Sequence, residues 1–328
     1  MNVFILTEGG ENIGLGHITR CTSIYQAFEE AGIESQLIVN GDQTVRDLLR
    51  DKNCKVFNWL NDRNTLLATV KNADIVFIDS YLADCDLYET ISNTVKTAVY
   101  FDDDVRLNYP RGFVLNGTLL AEQMAYPKRK EITYLLGAQY APLRREFWDV
   151  PAKPIHDNLE TVMITFGGAD IRNVTPKVLK WLTDAYPKVL KKVIIAKSFQ
   201  NTAEIESLKD DNAELIYYPN AAEMKKVMLE SDIAISAGGQ TLYELARIGV
   251  PTIGICIAEN QLHNIEGWSK SGFLKYVGWY NDENLEQRLK SSLRYLANKR
   301  IRMHTSEIGR KVIDGQGCKR IINAINTK

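Results

Sequence analysis

Strand-like and helix-like segments alternate along most of the chain, and this alternation limits the possible folds more than any other feature. In the first half, the strand-like runs are 2–7, 34–40, 74–80 and 97–104, and the helix-like stretches between them are 17–31, 44–52 and 86–93. In the second half, the strand-like runs are 161–166, 192–197, 213–219, 232–239 and 251–257, and the helix-like stretches are 174–184, 203–209, 221–230 and 240–248. Alternation at this spacing predicts βαβ units and parallel sheets.

The pattern loosens between about residues 105 and 160, and this break suggests two domains. The stretch VPAKPIHDN (150–158) has two prolines and no periodicity, so we interpret it as a linker. A chain of 328 residues suits two α/β domains of about 150 residues each. The sequence therefore predicts Rossmann-like, doubly wound domains over 1–152 and 153–328. A ligand cleft is expected between the carboxyl ends of their strands, and only helices are expected after about residue 281.

Charge and composition exclude several classes of function. The net charge of -1 gives no bulk attraction to nucleic acid or to an anionic membrane surface. No apolar run reaches the roughly 18 residues that span a bilayer, and the N-terminus does not resemble a signal peptide. The five scattered cysteines, without a C-x-x-C spacing, are typical of reduced thiols. We therefore expect a cytoplasmic protein with no nucleic-acid partner and no membrane insertion.

The stretch TEGGENIGLGHITR (7–20) follows the first strand and contains four glycines before His17. The glycines match neither the dinucleotide pattern G-x-G-x-x-G nor a P-loop, which disfavours NAD and ATP as ligands. Glycine lets the backbone pass close to a ligand. His17 lies in the first turn of the next helix, whose positive end favours the neutral imidazole that a general base needs. The alternative is that His17 only hydrogen-bonds a turn.

Two similar turns in the second half combine glycines with a helix start. They are TFGGAD (165–170) and AISAGGQTLYELARIG (234–249). The backbone N–H groups and helix dipoles of such turns favour anions, typically phosphate. Glu244, one turn into the second helix, is placed to accept two hydrogen bonds from a ribose diol. Ordinary tight βα packing is the alternative explanation for the glycines.

Two further groups of polar side chains follow strands. Asn260 and Gln261 suit sugar hydroxyls or acetamido groups, although Asn260 could instead cap a helix. The carboxylates of 102–104 end a strand, so they could bind sugar hydroxyls or orient His17. A salt bridge to Arg20 or Arg144 is the alternative for them.

These residues fall into motifs whose order carries a family resemblance. The motifs are G-x-G-H-x-x-R (Gly14–Arg20), F-D-D (Phe101–Asp103), G-x-x-Y-A-P-L-R-x-E-F (Gly137–Phe147), F-G-G-A-D-x-x-N (Phe166–Asn173), S-A-G-G-x-x-x-x-E (Ser236–Glu244) and N-Q (Asn260–Gln261). The set resembles the UDP-2,4-diacetamido-2,4,6-trideoxy-β-L-altropyranose hydrolases of pseudaminic acid biosynthesis. Those enzymes belong to the wider GT-B superfamily of nucleotide-sugar enzymes.

The resemblance implies two Rossmann-like domains that face a central cleft, with UDP held mainly by the second. It implies hydrolysis of a UDP-sugar with inversion, without metal or cofactor, in which His17 acts on water and Tyr81 contacts the sugar. With the turns above, the predicted substrate-binding residues are Gly14, Gly16, Arg20, Tyr81, Asp102, Asp103, Arg144, Gly167, Gly168, Asp170, Asn173, Ser236, Gly238, Gly239, Gln240, Thr241, Glu244, Asn260 and Gln261.

Three other functions are compatible with the same residues. An inverting glycosyltransferase would use the same base on an acceptor hydroxyl, and the fold by itself does not separate it from a hydrolase. The lack of an obvious apolar and basic docking surface favours water. A hydrolysing 2-epimerase would need acid and base carboxylates near C2 of the sugar. A non-catalytic subunit would bind the nucleotide sugar and need no base at all.

Overall fold

The structure is a computed structural model, and it describes residues 1–10 and 13–327. The chain divides into two compact units. The first comprises Met1–Arg145 together with Gly315–Lys328, and the second comprises Glu146–Asp314. Each unit is built around one parallel sheet with helices in its connections.

The first unit has a seven-stranded sheet in the order β3-β2-β1-β4-β5-β6-β7. Its strands are β1 (Val3–Glu8), β2 (Ser35–Asn40), β3 (Cys54–Val56), β4 (Ile75–Asp79), β5 (Thr97–Phe101), β6 (Gly112–Asn116) and β7 (Ile132–Leu136). Its first helices are α1 (Gly16–Glu30), α2 (Gln43–Leu48), α3 (Arg63–Val70) and α4 (Cys85–Thr94). The strand order reverses between β1 and β4, which is where doubly wound sheets bind their ligands.

Burial explains why these segments form the core of the first unit. Every residue of β4 is buried, as expected for a strand covered on both faces of a parallel sheet. One face of α1 is also buried, at Ile18, Cys21, Ile24 and Phe28, which follow the helical spacing. The helix therefore packs one face on the sheet and keeps its first turn at the carboxyl edge, next to the end of β1.

The second unit has a six-stranded sheet in the order β10-β9-β8-β11-β12-β13. Its strands are β8 (Thr161–Thr165), β9 (Leu190–Ile195), β10 (Ala213–Tyr217), β11 (Ile233–Ala237), β12 (Thr252–Cys256) and β13 (Leu274–Trp279). Its helices are α5 (Val174–Ala185), α6 (Thr202–Ser207), α7 (Ala221–Glu230), α8 (Thr241–Ile248), α9 (Leu262–Ser271), α10 (Leu285–Leu296) and α11 (Lys299–Val312). Here the order reverses between β8 and β11. Within the described residues of both units, no helix is long and apolar enough to cross a membrane.

The sequence pattern missed several elements. The strands β3, β6, β7 and β13 and the helices α3 and α9 were not predicted, and β6 and β7 lie inside the segment where the alternation loosens. β3 has only three residues, and no α-helix separates β5, β6 and β7, so the alternation of strands and helices gives no signal there. The run 97–104 is a strand only to Phe101, so the three aspartates that follow it lie in a loop.

The last helix, α12 (Gly317–Asn326), belongs to the first unit, whereas the sequence analysis assigned it to the second domain. A Cβ at Gly317 would lie 2.1 Å from the carbonyl oxygen of Ala141, so only glycine allows this approach. The Cys318 thiol donates to the carbonyl oxygens of Ser23 and Leu143, each at 3.6 Å. The structure also places the first boundary after Arg145 instead of after residue 152.

Candidate active site

His17 and Asp79 meet where the strand order of the first sheet reverses. His17 is the second residue of α1, and Asp79 is the last residue of β4, the strand beside β1. The Nδ1 atom of His17 lies 2.6 Å from Oδ1 of Asp79. The Asp79 side chain is 1% exposed and that of His17 is 12% exposed. The sequence analysis did not single out Asp79. A carboxylate closing the apolar run DIVFIDS was the signal that could have identified it.

The contact with Asp79 fixes which imidazole nitrogen is available for chemistry. An ionised carboxylate only accepts hydrogen bonds, so Nδ1 of His17 carries the proton and donates it. With that proton on Nδ1, Nε2 is the nitrogen whose lone pair can accept a proton. Among residues 1–10 and 13–327, no group forms a hydrogen bond with Nε2. The pair therefore has the arrangement of a general base held in one tautomer by a buried acid.

Arg20 links Asp79 to a second carboxylate. Its Nε lies 2.5 Å from Oδ2 of Asp79, and one terminal nitrogen lies 2.7 Å from Oδ1. The other terminal nitrogen lies 2.7 and 2.8 Å from the two oxygens of Asp103. The guanidinium also lies over the Phe101 ring, 5.0 Å from its centroid. In this structure Arg20 orients two carboxylates, and its contact with substrate stays a prediction.

The charges of this cluster keep both carboxylates ionised. Burial by itself raises the pKa of Asp79, but the charge of Arg20 and the hydrogen bonds from Arg20 and His17 outweigh it and hold that pKa well below its usual range. Burial likewise raises the pKa of Asp103, and the Arg20 charge with the Tyr81 hydrogen bond lowers it further than burial raises it. Two carboxylates and one guanidinium leave one net negative charge.

Tyr81 completes a closed set of contacts around the base. Its hydroxyl donates to Oδ2 of Asp103 at 2.6 Å. Its ring meets His17 edge to face, with centroids 4.6 Å apart and an interplanar angle of 86°. Burial, and then the Asp103 charge, raise the pKa of Tyr81, so its hydroxyl is neutral. The contacts therefore form a closed ring, in which each residue touches the next: His17, Asp79, Arg20, Asp103, Tyr81 and again His17.

The structure gives Asp102 and Asp103 roles different from orienting His17. Asp102 is buried, and its oxygens accept from the backbone N–H of Arg106 at 3.1 Å and from the Tyr126 hydroxyl at 2.7 Å. Those bonds hold loops together. Asp103 instead forms the salt bridge to Arg20 that was the alternative explanation. The partner of His17 comes from the neighbouring strand because that strand ends level with the first turn of α1.

In the second unit, the turn after β11 leaves open space beside the start of α8. The backbone N–H of Gly238 donates to Oε1 of Gln261 at 3.1 Å, and its carbonyl accepts from the Asn264 amide at 2.7 Å. A Cβ at Gly238 would lie 2.6 Å from the Ile265 side chain, whereas a Cβ at Gly239 would meet no atom within 4 Å. The turn is thus packed on one side and open on the other, as an anion site requires.

Other predicted residues of this turn differ in how accessible they are. Gln240 and Thr241 are partly exposed at the start of α8. Glu244 lies in the first turn of α8 and is buried. The Ser236 hydroxyl is buried and bonds the Ala237 carbonyl at 3.0 Å, so it points into the protein.

The turn after β8 does not offer a second free helix start. Both carboxylate oxygens of Asp170 accept backbone N–H groups, from Val174 and Thr175, each at 2.9 Å. The next residue is Pro176, which has no N–H. The first turn of α5 is therefore already capped by a carboxylate, and the expectation that two helix starts hold a diphosphate reduces to α8 alone.

The remaining predicted residues are dispersed around these turns. Gly167, with a φ of +80°, would have open space around a Cβ, as would Gly14 and Gly16. Gly168 follows in the same turn as Gly167. Asn173 stands at the N-cap position of α5 with a left-handed backbone, and its side chain donates to Glu204 at 2.8 Å. Asn260 is exposed, and Arg144 is partly buried in the first unit.

Sequence comparison relates the second unit to known enzymes. Residues 161–312 match the model of the glycosyltransferase family 28 C-terminal domain. An uncharacterized protein of Methanocaldococcus jannaschii is 27% identical over 77% of this chain and 55% of its own length. The Helicobacter pylori protein named pseudaminic acid cytidylyltransferase and UDP-2,4-diacetamido-2,4,6-trideoxy-β-L-altropyranose hydrolase is 26% identical over 84% of this chain and 48% of its own length. The chain thus spans about half the length of both curated relatives.

Solved structures decide the fold. Acinetobacter baumannii MurG superposes with a TM-score of 0.69 and 13% identity, over 100% of both chains. A putative UDP-N-acetylglucosamine 2-epimerase from Listeria monocytogenes gives a TM-score of 0.68 and 15% identity, over 100% of this chain and 96% of the other. The chain has the GT-B fold. The predicted fold class of two doubly wound α/β domains is confirmed.

Proposed function

We propose that this GT-B chain hydrolyses a UDP-linked sugar to UDP and the free sugar, with His17 as the base that activates water. The observation that carries the proposal is the His17–Asp79 pair. It orients an imidazole whose Nε2 has no hydrogen-bond partner among the described residues. A protein that only bound a nucleotide sugar would have no use for such a pair, because binding needs no proton acceptor.

We further propose that the sugar is UDP-2,4-diacetamido-2,4,6-trideoxy-β-L-altropyranose. The support is the ordered motif set and the printed name of the Helicobacter pylori relative, which aligns with 84% of this chain. The neutral amides of Asn260 and Gln261 suit acetamido groups, as the sequence analysis predicts. The Gln261 side chain lies at the turn after β11, where its Oε1 accepts the Gly238 backbone N–H.

In the proposed mechanism, one displacement breaks the bond between the anomeric carbon and the UDP oxygen. The water oxygen attacks that carbon while its proton passes to Nε2 of His17. The ionised Asp79 balances the charge that appears on the imidazolium. The electron pair of the broken bond leaves on the β-phosphate of UDP, which the open turn at Gly239 and the positive start of α8 stabilise. Attack opposite the leaving group inverts the anomeric centre.

The test is UDP release from a panel of UDP-sugars by the purified chain without any acceptor, with proton NMR of the first-formed anomer. We expect prompt UDP release from a diacetamido-trideoxy sugar and an inverted product. His304→Gln, on an exposed position of α11, is the matched control and should behave as wild type.

Each other outcome identifies a different function. Release of UDP only after an acceptor is added would overturn hydrolysis and favour an inverting glycosyltransferase, which the match to the family 28 domain keeps as the second candidate. A product epimerised at C2 would indicate a hydrolysing epimerase. Binding of UDP-sugars with no turnover would indicate a binding subunit.

A further inference from the structure

Glu8 is a buried carboxylate beside the proposed base that the mechanism above does not use. It is the last residue of β1 and is fully buried. Its Oε2 accepts the Ser80 hydroxyl at 2.5 Å, and its Oε1 accepts the backbone N–H of Tyr81 at 2.7 Å. Glu8 therefore binds the first two residues after β4, Ser80 and Tyr81, and the Tyr81 ring packs on His17.

These contacts require a carboxylate in particular. The Ser80 oxygen already accepts the backbone N–H groups of Leu82 and Ala83, at 3.1 and 2.9 Å, so its own proton is directed at Glu8. Two donors thus converge on Glu8, one on each oxygen. A glutamine would turn its NH₂ group toward one of those donors and lose that bond.

Burying this carboxylate is costly for the fold. Among residues 1–10 and 13–327, no lysine or arginine forms an ion pair with Glu8. A buried carboxyl group without an ion-pair partner is destabilising, and two hydrogen bonds offset that cost only in part. An apolar residue at the end of β1 would be the cheaper choice for stability alone. The position of Glu8 therefore points to a role in the site.

Arg106 holds the same segment from the other side. One of its terminal nitrogens donates to the Ser80 carbonyl at 2.8 Å, and its guanidinium lies 5.7 Å from the centroid of the Tyr81 ring. The Tyr88 hydroxyl donates to that same carbonyl at 3.1 Å. The backbone that carries Tyr81 is therefore clamped between Glu8 on one side and Arg106 on the other.

We propose that Glu8 is a positioning residue that sets the Tyr81 ring against His17. It acts through the Tyr81 N–H and the Ser80 hydroxyl, and it touches neither substrate nor the reacting atoms. Its kinetic consequence rests on the proposed function, because the ring that it positions packs on the base. Its structural effect is the placement of the Tyr81 ring on His17. This effect can be measured without any substrate.

The first experiment reads that placement directly. The chain has four histidines, so the imidazole signals in a ¹H–¹⁵N spectrum can be assigned by removing His17. In Glu8→Gln we expect the His17 signals to shift, because the edge-on Tyr81 ring moves, while those of His156, His263 and His304 stay in place. A general loss of stability would not select one histidine. Unchanged His17 signals in the folded variant would overturn the proposal.

The second experiment asks whether Glu8 acts through Tyr81. We expect Glu8→Gln to lower kcat by about 10- to 100-fold, with KM changed much less, because small misplacements near the reacting atoms have effects of that size. In a Tyr81→Ala background the same change should lower kcat by less than about twofold. An equal loss of kcat in both backgrounds would contradict a role through Tyr81.

Two further variants keep the test decisive. Asp84→Asn makes the same chemical change at the exposed N-cap of α4, four residues after Ser80, and should leave both the His17 signals and kcat unchanged. If Glu8→Gln fails to fold, Glu8→Asp, which retracts the carboxylate by one methylene, is expected to shift the same signals. If the wild type releases no UDP from any UDP-sugar, the proposed function fails, and the histidine spectrum still decides the role of Glu8.

Discussion

The two sheets share the order of their first six strands, but different kinds of residues lie at the point where that order reverses. Counted along each chain segment, both sheets begin in the order third, second, first, fourth, fifth and sixth strand. At the reversal between β1 and β4 the first unit presents charged side chains, with His17 bound to Asp79. At the reversal between β8 and β11 the second unit presents glycine turns, and its nearby carboxylate, Asp170, is used to cap α5.

This difference shows that the strand order sets the location of a site, while the residues at that location determine its chemistry. Parallel strands end together at one edge, so the residues that follow the two central strands always meet. In the first unit those residues can exchange a proton. In the second they leave backbone and open space beside a helix start, which suits a phosphate. The predictions below test this division of labour.

The largest effect is expected from removing the base. His17→Ala should reduce turnover by about 10²- to 10⁴-fold, the usual contribution of a general base, and leave UDP affinity unchanged. Turnover is measured by UDP release and affinity by calorimetry with UDP. A variant that is inactive and also fails to bind UDP would show that the two tasks are not divided between the units.

The next effect is expected from filling the open turn of the second unit. Gly239→Val should weaken UDP binding by about 10- to 100-fold, the loss expected when hydrogen bonds to a charged group are blocked. Stability should change little, because a Cβ at Gly239 meets nothing within 4 Å. Unaltered UDP affinity would remove this turn from the site.

Gly238→Ala is the matched control for that variant. Its new Cβ would lie 2.6 Å from the Ile265 side chain, so this change should lower the melting temperature. The pair therefore separates space reserved for a ligand from space already filled by the core.

A smaller effect is expected in acid, from Asp79 of the first unit. The pKa of Asp79 is lowered in the folded chain, so its stabilising contribution is complete above the unfolded value of about 3.9 and is lost as the pH falls below it. In that range the unfolded chain binds the extra proton. The stability gap between wild type and Asp79→Asn should then shrink by up to about 1.4 kcal/mol per pH unit. Urea unfolding at pH 5, 4 and 3 measures it, and a constant gap would contradict the assignment.

The smallest effect is expected from the carboxylate of the second unit. Asp170→Ala should lower the free energy of unfolding by about 1 kcal/mol, as the loss of a helix cap does, with UDP affinity changed by less than about twofold. Asp170→Asn, which can still accept hydrogen bonds, should lie between this variant and wild type. A large loss of UDP affinity at normal stability would return Asp170 to the predicted binding set.

Local sequence determined the βα alternation, the buried stripe of α1 and the glycine turns. Each of these depends on residues that are close in the chain, through side-chain periodicity and the backbone freedom of glycine. The position of His17 in the first turn of α1 follows from the same local pattern. The strands β6 and β7 escaped prediction because no α-helix separates β5, β6 and β7, so the βα alternation is absent there.

Only the tertiary structure decided which distant residues complete the site. Asp79 lies 62 residues from His17 and Asp103 lies 83 residues from Arg20, and they meet because β4 pairs with β1 and β5 pairs with β4. The return of α12 to the first unit is equally a matter of packing. The physical reason is that the order of strands in a sheet is chosen by the burial of whole faces. The burial of a whole face depends on all segments packing together, so no single segment of the sequence determines the strand order.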